Sequence, residues 1–465
     1  GNKNLVVGDI KQSIYRWRNS DWEILSEKIT KDFEQFEPEE KTLNTNWRSK
    51  KNVIDYNNAV FHYSAQILQS KFNGEHDETA EHDNLYQSKI ISAYQDVFQK
   101  NPDQNKNNGG YINHTFLNEK EYDSWKDEVK KRIPYIIENL QEKGFHLKDI
   151  AILVRSGKEG QEIANILIDY KNSGKSKYRF DFISNDSLYL VNSSLVKFII
   201  SIFEYILDAD DEINLSFIVH EYNRYLRDYE ISNKELHEIL KSRKNGNNDH
   251  ELFPKNFSES IDTIKQLPLY ELTDRIVRTF KLNEIKSELP YLKSFLDVVL
   301  DFSKKSASDI HTFVNWWNEE GYTKTLSVSE TQDAVRIITI HKSKGLEFKN
   351  VIIPFCKWEI DHKPLQNNFL WCKPQASSFS QLDLIPVKYS KDLQHTIFKS
   401  DYLQEKFHAY VDNLNLLYVA FTRAEENLFC FSPIKENSKS IKNVGKLLYF
   451  AYQNYQNYAN NDMLI

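Results

Sequence analysis

Four short segments hold side chains whose chemistry exceeds what packing requires. The first is Val6-Val7-Gly8-Asp9-Ile10-Lys11-Gln12-Ser13-Ile14-Tyr15-Arg16-Trp17-Arg18, an apolar run opening into a polar loop. The Gln12 amide both donates and accepts, so it can sense a phosphate or a water. Trp17 beside Arg18 offers a ring face with a cation next to it. Base–aromatic stacking is worth about 1–3 kcal/mol per base and tolerates any sequence. Tyr15 and Trp17 also read as core residues, the commoner use of a lone aromatic. The second segment is Leu43-Asn44-Thr45-Asn46-Trp47-Arg48-Ser49. Here Arg48 supplies a bidentate fork for phosphate just ahead of a predicted helix start, where anions are favoured, and Trp47 could stack on a base. Taken alone, an arginine at such a place is usually solvated.

The third segment is Ile338-Thr339-Ile340-His341-Lys342-Ser343-Lys344-Gly345-Leu346-Glu347-Phe348. His341, Lys342 and Lys344 place local positive charge in an acidic chain, which suits a nucleic-acid backbone. Glu347 can accept hydrogen bonds from a ribose. The plainer alternative is a charged β-turn around Gly345. The fourth is Leu416-Leu417-Tyr418-Val419-Ala420-Phe421-Thr422-Arg423-Ala424-Glu425-Glu426. A partly buried Arg423 needs an anionic partner, because an unpaired charge is costly to desolvate. Glu425, Glu426, another carboxylate or a bound phosphate would each serve.

The elements that must position these residues follow from periodicity. Leu5 to Val7 reads as a short buried strand and Thr42 to Arg48 as an extended piece. Ser49 reads as the cap of a helix carrying Val53, Ile54, Val60, Phe61, Ile67 and Leu68. Tyr111 to Leu117 and Ile150 to Val154 read as strands, each followed by a helix (Glu119 to Lys143, stopped by Gly144, and Glu159 to Tyr170). Such alternation predicts a parallel sheet with crossover helices. Between about 191 and 325 strand signals vanish, and a helical stripe from Leu195 to Ile206 follows the cap candidates Ser193 and Ser194. Strand patterns return at Val335 to Ile340, Val351 to Ile353 and Leu428 to Phe431, with a helix from Leu414 to Ala424. The expectation is an α/β domain interrupted by an all-helical insertion.

Composition excludes several classes. The 465 residues carry 60 Lys+Arg against 67 Asp+Glu, so any polyanion site is a local patch. Gly and Pro together make about 5% of the chain against a usual ~12%, which excludes low-complexity and collagen-like sequence. Cys356, Cys372 and Cys430 are too few and too scattered for a disulfide framework or a zinc spacing. No apolar run approaches the ~20 residues of a membrane span, and no signal peptide opens the chain. A soluble, cytoplasmic protein is expected. The sequence begins at Gly1 and holds a single methionine, Met463, so a fragment of a longer protein is also expected.

Together and in this order, the segments resemble motifs III, IV, V and VI of the UvrD/Rep/PcrA group of superfamily 1 DNA helicases. His-Lys-Ser-Lys-Gly-Leu-Glu-Phe followed by Ile-Ile-Pro-Phe is most similar to the RecB/AddA branch. The resemblance implies a RecA-like (P-loop NTPase-type) fold. Its divisions would be the tail of a first RecA-like domain (1–35), the first part of a second (36–190), a helical insertion (191–327), the second part (328–434) and a C-terminal extension (435–465). It implies that Gln12 senses the γ-phosphate, that Arg48 and Arg423 reach it as arginine fingers, and that Trp47 stacks on adenine where the family usually has Tyr. Gly345 and Glu347 would lie at the nucleotide, Glu347 near the ribose. Tyr15, Trp17, Arg18, His341 and Lys344 would contact single-stranded DNA or link it to the nucleotide. After Arg18 the chain has Asn19-Ser20-Asp21 where the family commonly has Gly-Ala-Asp.

The resemblance further implies ATP and Mg²⁺ as cofactors, single-stranded or tailed duplex DNA as partner, and 3′-to-5′ movement. A nuclease domain or partner subunit would complete a helicase–nuclease. The phosphate-cradling Gly-x-x-x-x-Gly-Lys-Ser/Thr loop is absent. Gly174-Lys175-Ser176 mimics only its end, since Asp169 stands at the first glycine's place. That loop and the acidic Mg²⁺ motif are expected before residue 1, in the missing first RecA-like domain. The chain alone is therefore expected not to hydrolyse ATP. Glu128-Val129-Lys130 has the letters of a nuclease cluster but falls in a predicted helix, as a solvated face. Two other readings stand beside this one: a degenerate helicase-like scaffold without ATPase activity, and an RNA-directed motor.

Overall fold

A computed structural model describes residues 5–462 apart from 19–21, 23, 25–27, 37–38, 40, 76–85, 103–107, 123, 185–188, 227–228, 230, 245–252, 255–256, 258–260, 286–287, 306–308, 325–332, 363–367, 375–380 and 436–439. It divides into two compact units, 1–184 with 333–465, and 185–332.

The first unit is built on a parallel sheet. Its strands are β1 (Tyr111–Asn118), β2 (Ile150–Val154), β3 (Phe182–Ser184), β4 (Val335–Thr339), β5 (Phe348–Ile353) and β8 (Ala424–Ile434), in the order β1-β8-β5-β2-β4-β3. Every neighbouring pair is parallel. A short antiparallel hairpin, β6 (Phe369–Cys372) with β7 (Ile385–Lys388), stands apart from it. The central strand Ile150-Ala151-Ile152-Leu153-Val154 is buried throughout, as a strand covered on both faces must be. Alternation divides its side chains between two cores. Ala151 and Leu153 join one with α1 (Lys51–Gly74) and a long helix, Lys399–Phe421. Ile150, Ile152 and Val154 join the other with α2 (Trp125–Glu142) and α3 (Gly157–Asn172). Side-chain caps from Ser124 and Ser156 begin α2 and α3. Gly144, at φ +88°, follows the end of α2 in the left-handed region open to glycine.

The second unit is helical. It contains α4 (Ser194–Leu207), α5 (Glu212–Leu226), α6 (Asn233–Lys244), α7 (Leu269–Thr279), α8 (Leu289–Lys305) and α9 (Ile310–Glu319) around a core rich in phenylalanine, among them Phe203, Phe257, Phe280, Phe295 and Phe313. Ser193 caps α4, its Oγ accepting from Val196 N at 3.2 Å. In the first unit, Lys399–Phe421 is α10 and Val444–Asp462 is α11.

Several expectations need correction. Leu5, Val6 and Val7 are exposed and form no strand: they pair with neither edge of the sheet, β1 or β3. Ser49 does not cap α1. The helix starts at Lys51 with Lys50 as its uncapped boundary residue, and the Ser49 hydroxyl instead donates to Ala424 O at 2.8 Å. The fourth segment is not helical to Ala424: α10 stops at Phe421, and Ala424 already opens β8. Glu128-Val129-Lys130 does lie in a helix, with Val129 buried, Glu128 paired to Arg132 and Lys130 to Asp127 and Glu162.

Candidate nucleotide and nucleic-acid site

The two candidate arginine fingers meet at the amino ends of β5 and β8. Phe348 N donates to Arg423 O at 3.0 Å, which sets Glu347 beside Arg423. The turn carrying Arg48 is stitched to the same place by the Ser49 hydroxyl and by Lys50 N, which donates to Glu425 O at 2.8 Å. Asn46 shapes that turn, its Oδ1 accepting from the backbone N–H of both Arg48 and Ser49 at 2.9 Å.

Arg48 Nε then donates to Glu347 Oε2 at 2.5 Å, and Nη1 reaches Thr422 O at 3.5 Å. Arg423 is 1% exposed. Its Nε donates to Val419 O at 2.9 Å, Nη1 to Leu346 O at 2.9 Å and Nη2 to the Thr422 hydroxyl at 3.1 Å. These partners are carbonyls and a hydroxyl, so the Glu425 or Glu426 pairing offered by the sequence is not made. Burial, and next the neighbouring Arg48, pull the Arg423 pKa down to about 10. The site thus concentrates positive charge that protein carboxylates only partly offset.

The Gln12 loop lies against α10. Asn415, on that helix, donates from Nδ2 to Ile10 O and Ser13 O, both at 3.1 Å. Gln12 Nε2 donates to Asp9 Oδ2 at 3.0 Å, and the Asp9 charge is felt by both Arg423 and Tyr418. Among the described residues of this segment, Lys11 and Ile14 are buried, with Trp22 further on. Lys11 pairs with Asp96 at 2.8 Å and with Asp9 at 3.2 Å.

A second group surrounds Tyr15. Its hydroxyl donates to His341 O at 2.6 Å. Lys344 Nζ stands 5.4 Å and the Arg18 guanidinium 5.7 Å from its ring centre, distances at which a cation is attracted to the ring face. His341 follows β4 at its carboxyl end, and burial, then Arg155, push its imidazole down to about 4. From there the chain crosses back to the amino end of β5. Gly345 makes the turn at φ +88°, a conformation that costs other residues strain. Trp47 is 69% exposed, which leaves its ring open to a ligand. The Trp17 side chain lies outside the described residues.

The structure therefore brings Arg48, Glu347 and Arg423 together, sets Gln12 near them through Asp9, and gathers Tyr15, Arg18, His341 and Lys344 elsewhere. Sequence reasoning missed Thr422 and Asn415. A polar residue inside an apolar helical run was the available signal for Asn415.

Residues 41–433 match the family model described as the UvrD-like helicase C-terminal domain. The chain belongs to this family. The match begins after the Gln12 loop, and both arginines fall within it. The chain is 26% identical to an ATP-dependent helicase/nuclease subunit of Streptococcus uberis, over 95% of this chain and 39% of that protein. It is 23% identical to the same-named protein of Lactococcus lactis subsp. lactis and to the exonuclease/helicase subunit RexA of L. lactis subsp. cremoris, each over 94% of this chain and 39% of the relative. The chain thus spans about 39% of the length of these UvrD-like relatives. Among the described residues, no helix is long and apolar enough to cross a membrane.

Proposed function

We propose that this chain is the C-terminal part of an ATP-dependent DNA helicase or translocase of the helicase–nuclease kind, acting in DNA repair or recombination. It supplies Arg48 and Arg423 to the γ-phosphate of ATP held by another RecA-like domain. The observation that carries the proposal is the meeting of these two guanidinium groups beside Thr422. Phosphoryl transfer requires positive charge on the developing transition state, and an arginine finger contributes about 10³–10⁵ in rate. Because Arg423 is held by neutral acceptors, its charge is available to an incoming phosphate. Arg48 releases Glu347 to do the same, and the freed carboxylate can take a ribose hydroxyl. Trp47 offers its face to the adenine. Gln12 adds a neutral donor that distinguishes a bound phosphate from water.

These residues fit a nucleoside triphosphate. Among the described residues no group of three or more His, Cys, Asp or Glu could hold a metal ion, and no step here passes through one. Tyr15, Arg18, His341 and Lys344, with Trp17, form the contact to single-stranded DNA. Hydrolysis then depends on closing the cleft between the two domains, and its cycle moves the strand, in the 3′-to-5′ sense.

The test uses the protein extended to the full length of its relatives. Arg423→Ala is expected to lower DNA-stimulated ATP turnover at least a thousandfold with oligonucleotide affinity unchanged within threefold. Near-normal turnover would overturn the reading. The purified 465-residue chain is expected to show no turnover, since its sequence lacks the phosphate-cradling loop.

A further inference from the structure

The Gln12 loop and the helix leading to Arg423 are joined by contacts that the proposed phosphate chemistry does not use. Arg16 spends its whole guanidinium on α10. Nη1 and Nη2 each donate to a Glu405 oxygen at 2.8 Å, and Nε donates to Asp412 Oδ2 at 2.6 Å. Glu405 is itself hydrogen-bonded to His362 Nε2 at 2.6 Å. Further along α10, Asn415 is fully buried. Its two amide hydrogens hold the Ile10 and Ser13 carbonyls, and its Oδ1 accepts from the Tyr94 hydroxyl at 2.7 Å. Positions 405, 412 and 415 fall on one face of the helix by their spacing.

The fastening is strong by its chemistry. A bidentate arginine–carboxylate pair is geometrically demanding as well as attractive. Burial opposes the Arg16 charge, but the hydrogen bonds and charges of Glu405 and Asp412 raise its pKa above the ordinary value. Burial likewise works against the Glu405 carboxylate, yet its bonds to His362 and Arg16 bring it down to about 2. The pair stays charged at any working pH. The loop it secures carries Gln12 on one side and Tyr15 and Arg18 on the other. The helix it grips ends two residues before Arg423.

We infer that Arg16 and Asn415 are positioning residues that hold the Gln12 loop against the helix leading to Arg423, so that a strand held at Tyr15 and Arg18 controls the arginine finger. Both act through the loop and the helix they join, and the proposed function asks neither to contact nucleotide or nucleic acid. The inference rests on the proposed function and adds the route by which nucleic acid stimulates turnover. Without the fastening, the phosphate site still assembles by chance encounter of its parts, but the strand no longer sets its occupancy.

The experiment uses the full-length protein, with ATP and a single-stranded oligothymidine. In Arg16→Ala, basal ATP turnover is expected to stay within twofold and the ATP KM within threefold, while the oligonucleotide-stimulated part of kcat falls at least tenfold. Asn415→Ala should show the same split. Arg16→Lys, which keeps one charged contact of three, should recover part of the stimulation. In the 465-residue chain, amide hydrogen exchange over residues 8–18 should quicken in Arg16→Ala. Full stimulation in Arg16→Ala, unchanged exchange, or an equal fall of basal and stimulated rates would each overturn the inference. Arg423→Ala separates the two levels. If it keeps its turnover, the functional reading fails; if it is inactive while Arg16→Ala is stimulated normally, only the positioning role fails.

Discussion

Arg48 and Arg423 share a residue: the Thr422 carbonyl accepts from Arg48 at 3.5 Å, and the Thr422 hydroxyl accepts from Arg423 at 3.1 Å. Two like charges held this close are tolerated because one is paired to Glu347 and the other is wrapped in carbonyls. The site is therefore electrostatically loaded toward an anion.

The two arginines should differ sharply in what they do for the fold. Arg423 is buried with three hydrogen bonds to neutral acceptors. Arg423→Ala leaves buried carbonyls unpaired and is expected to cost about 1–3 kcal/mol. Arg48 is partly exposed and paired to an exposed Glu347, so Arg48→Ala should cost less than about 1 kcal/mol. Urea unfolding of the 465-residue chain measures both, and equal costs would contradict this account.

Trp47 is the cleanest test of base stacking, because its exposure makes it dispensable for packing. Trp47→Ala should leave the urea midpoint nearly unchanged. In the full-length protein it should raise the ATP KM about fivefold to tenfold, the equivalent of about 1–1.4 kcal/mol of lost ring contact. Trp47→Tyr should behave nearly as the wild type. Adenine-independent KM values, compared using a triphosphate with a different base, locate the effect at the ring.

Acid should weaken the first unit through two half-buried histidines. Burial pushes His114 down to about 3, and burial with Arg155 pushes His341 down to about 4, both from 6.5. A histidine with a depressed folded-state pKa binds fewer protons folded than unfolded below 6.5. Its stabilising contribution is therefore complete above that pH and lost progressively on acidification toward the folded value. Stability should fall by up to about 1.4 kcal/mol per pH unit for each group between pH 6.5 and about 4. Urea unfolding at pH 7, 6 and 5 measures the slope, and His114→Asn should flatten it. A level profile across that window would refute the assignment.

The helical unit should be removable. It enters the chain between β3 and β4, strands that pair directly with Phe182 opposite Val335. Replacing residues 185–332 with a Gly/Ser linker of about ten residues, enough to return along strands this short, should leave a unit that unfolds cooperatively. Loss of a cooperative transition would show that the sheet depends on the helices.

Much of this was readable in the residues. Ile150 to Val154 announces a buried parallel strand because β-branched and apolar side chains follow one another without a polar break, and Val335 to Thr339 does so with Arg336 as its one charged interruption. The Leu195 to Ile206 stripe announces a buried helix because its apolar residues recur every three or four positions, with Ser193 free to cap it. Motif wording also ties Arg48, Glu347 and Arg423 to one chemistry. What no local pattern contained was partnership. Leu5 to Val7 has strand composition but joins neither edge of the sheet, and Ser49 has cap chemistry but a closer carbonyl to satisfy in β8. Arg423 finds carbonyls instead of the carboxylates beside it in sequence. Arg16, one arginine among several on paper, becomes the clamp on α10 because Glu405 and Asp412 arrive from the far end of the chain. Local propensity depends on a residue and its immediate neighbours, so the sequence by itself determined the strands, the helices and the types of side chain available for chemistry. Only the tertiary structure decided which charges meet, since that depends on strand order and on the path by which the chain returns to the sheet.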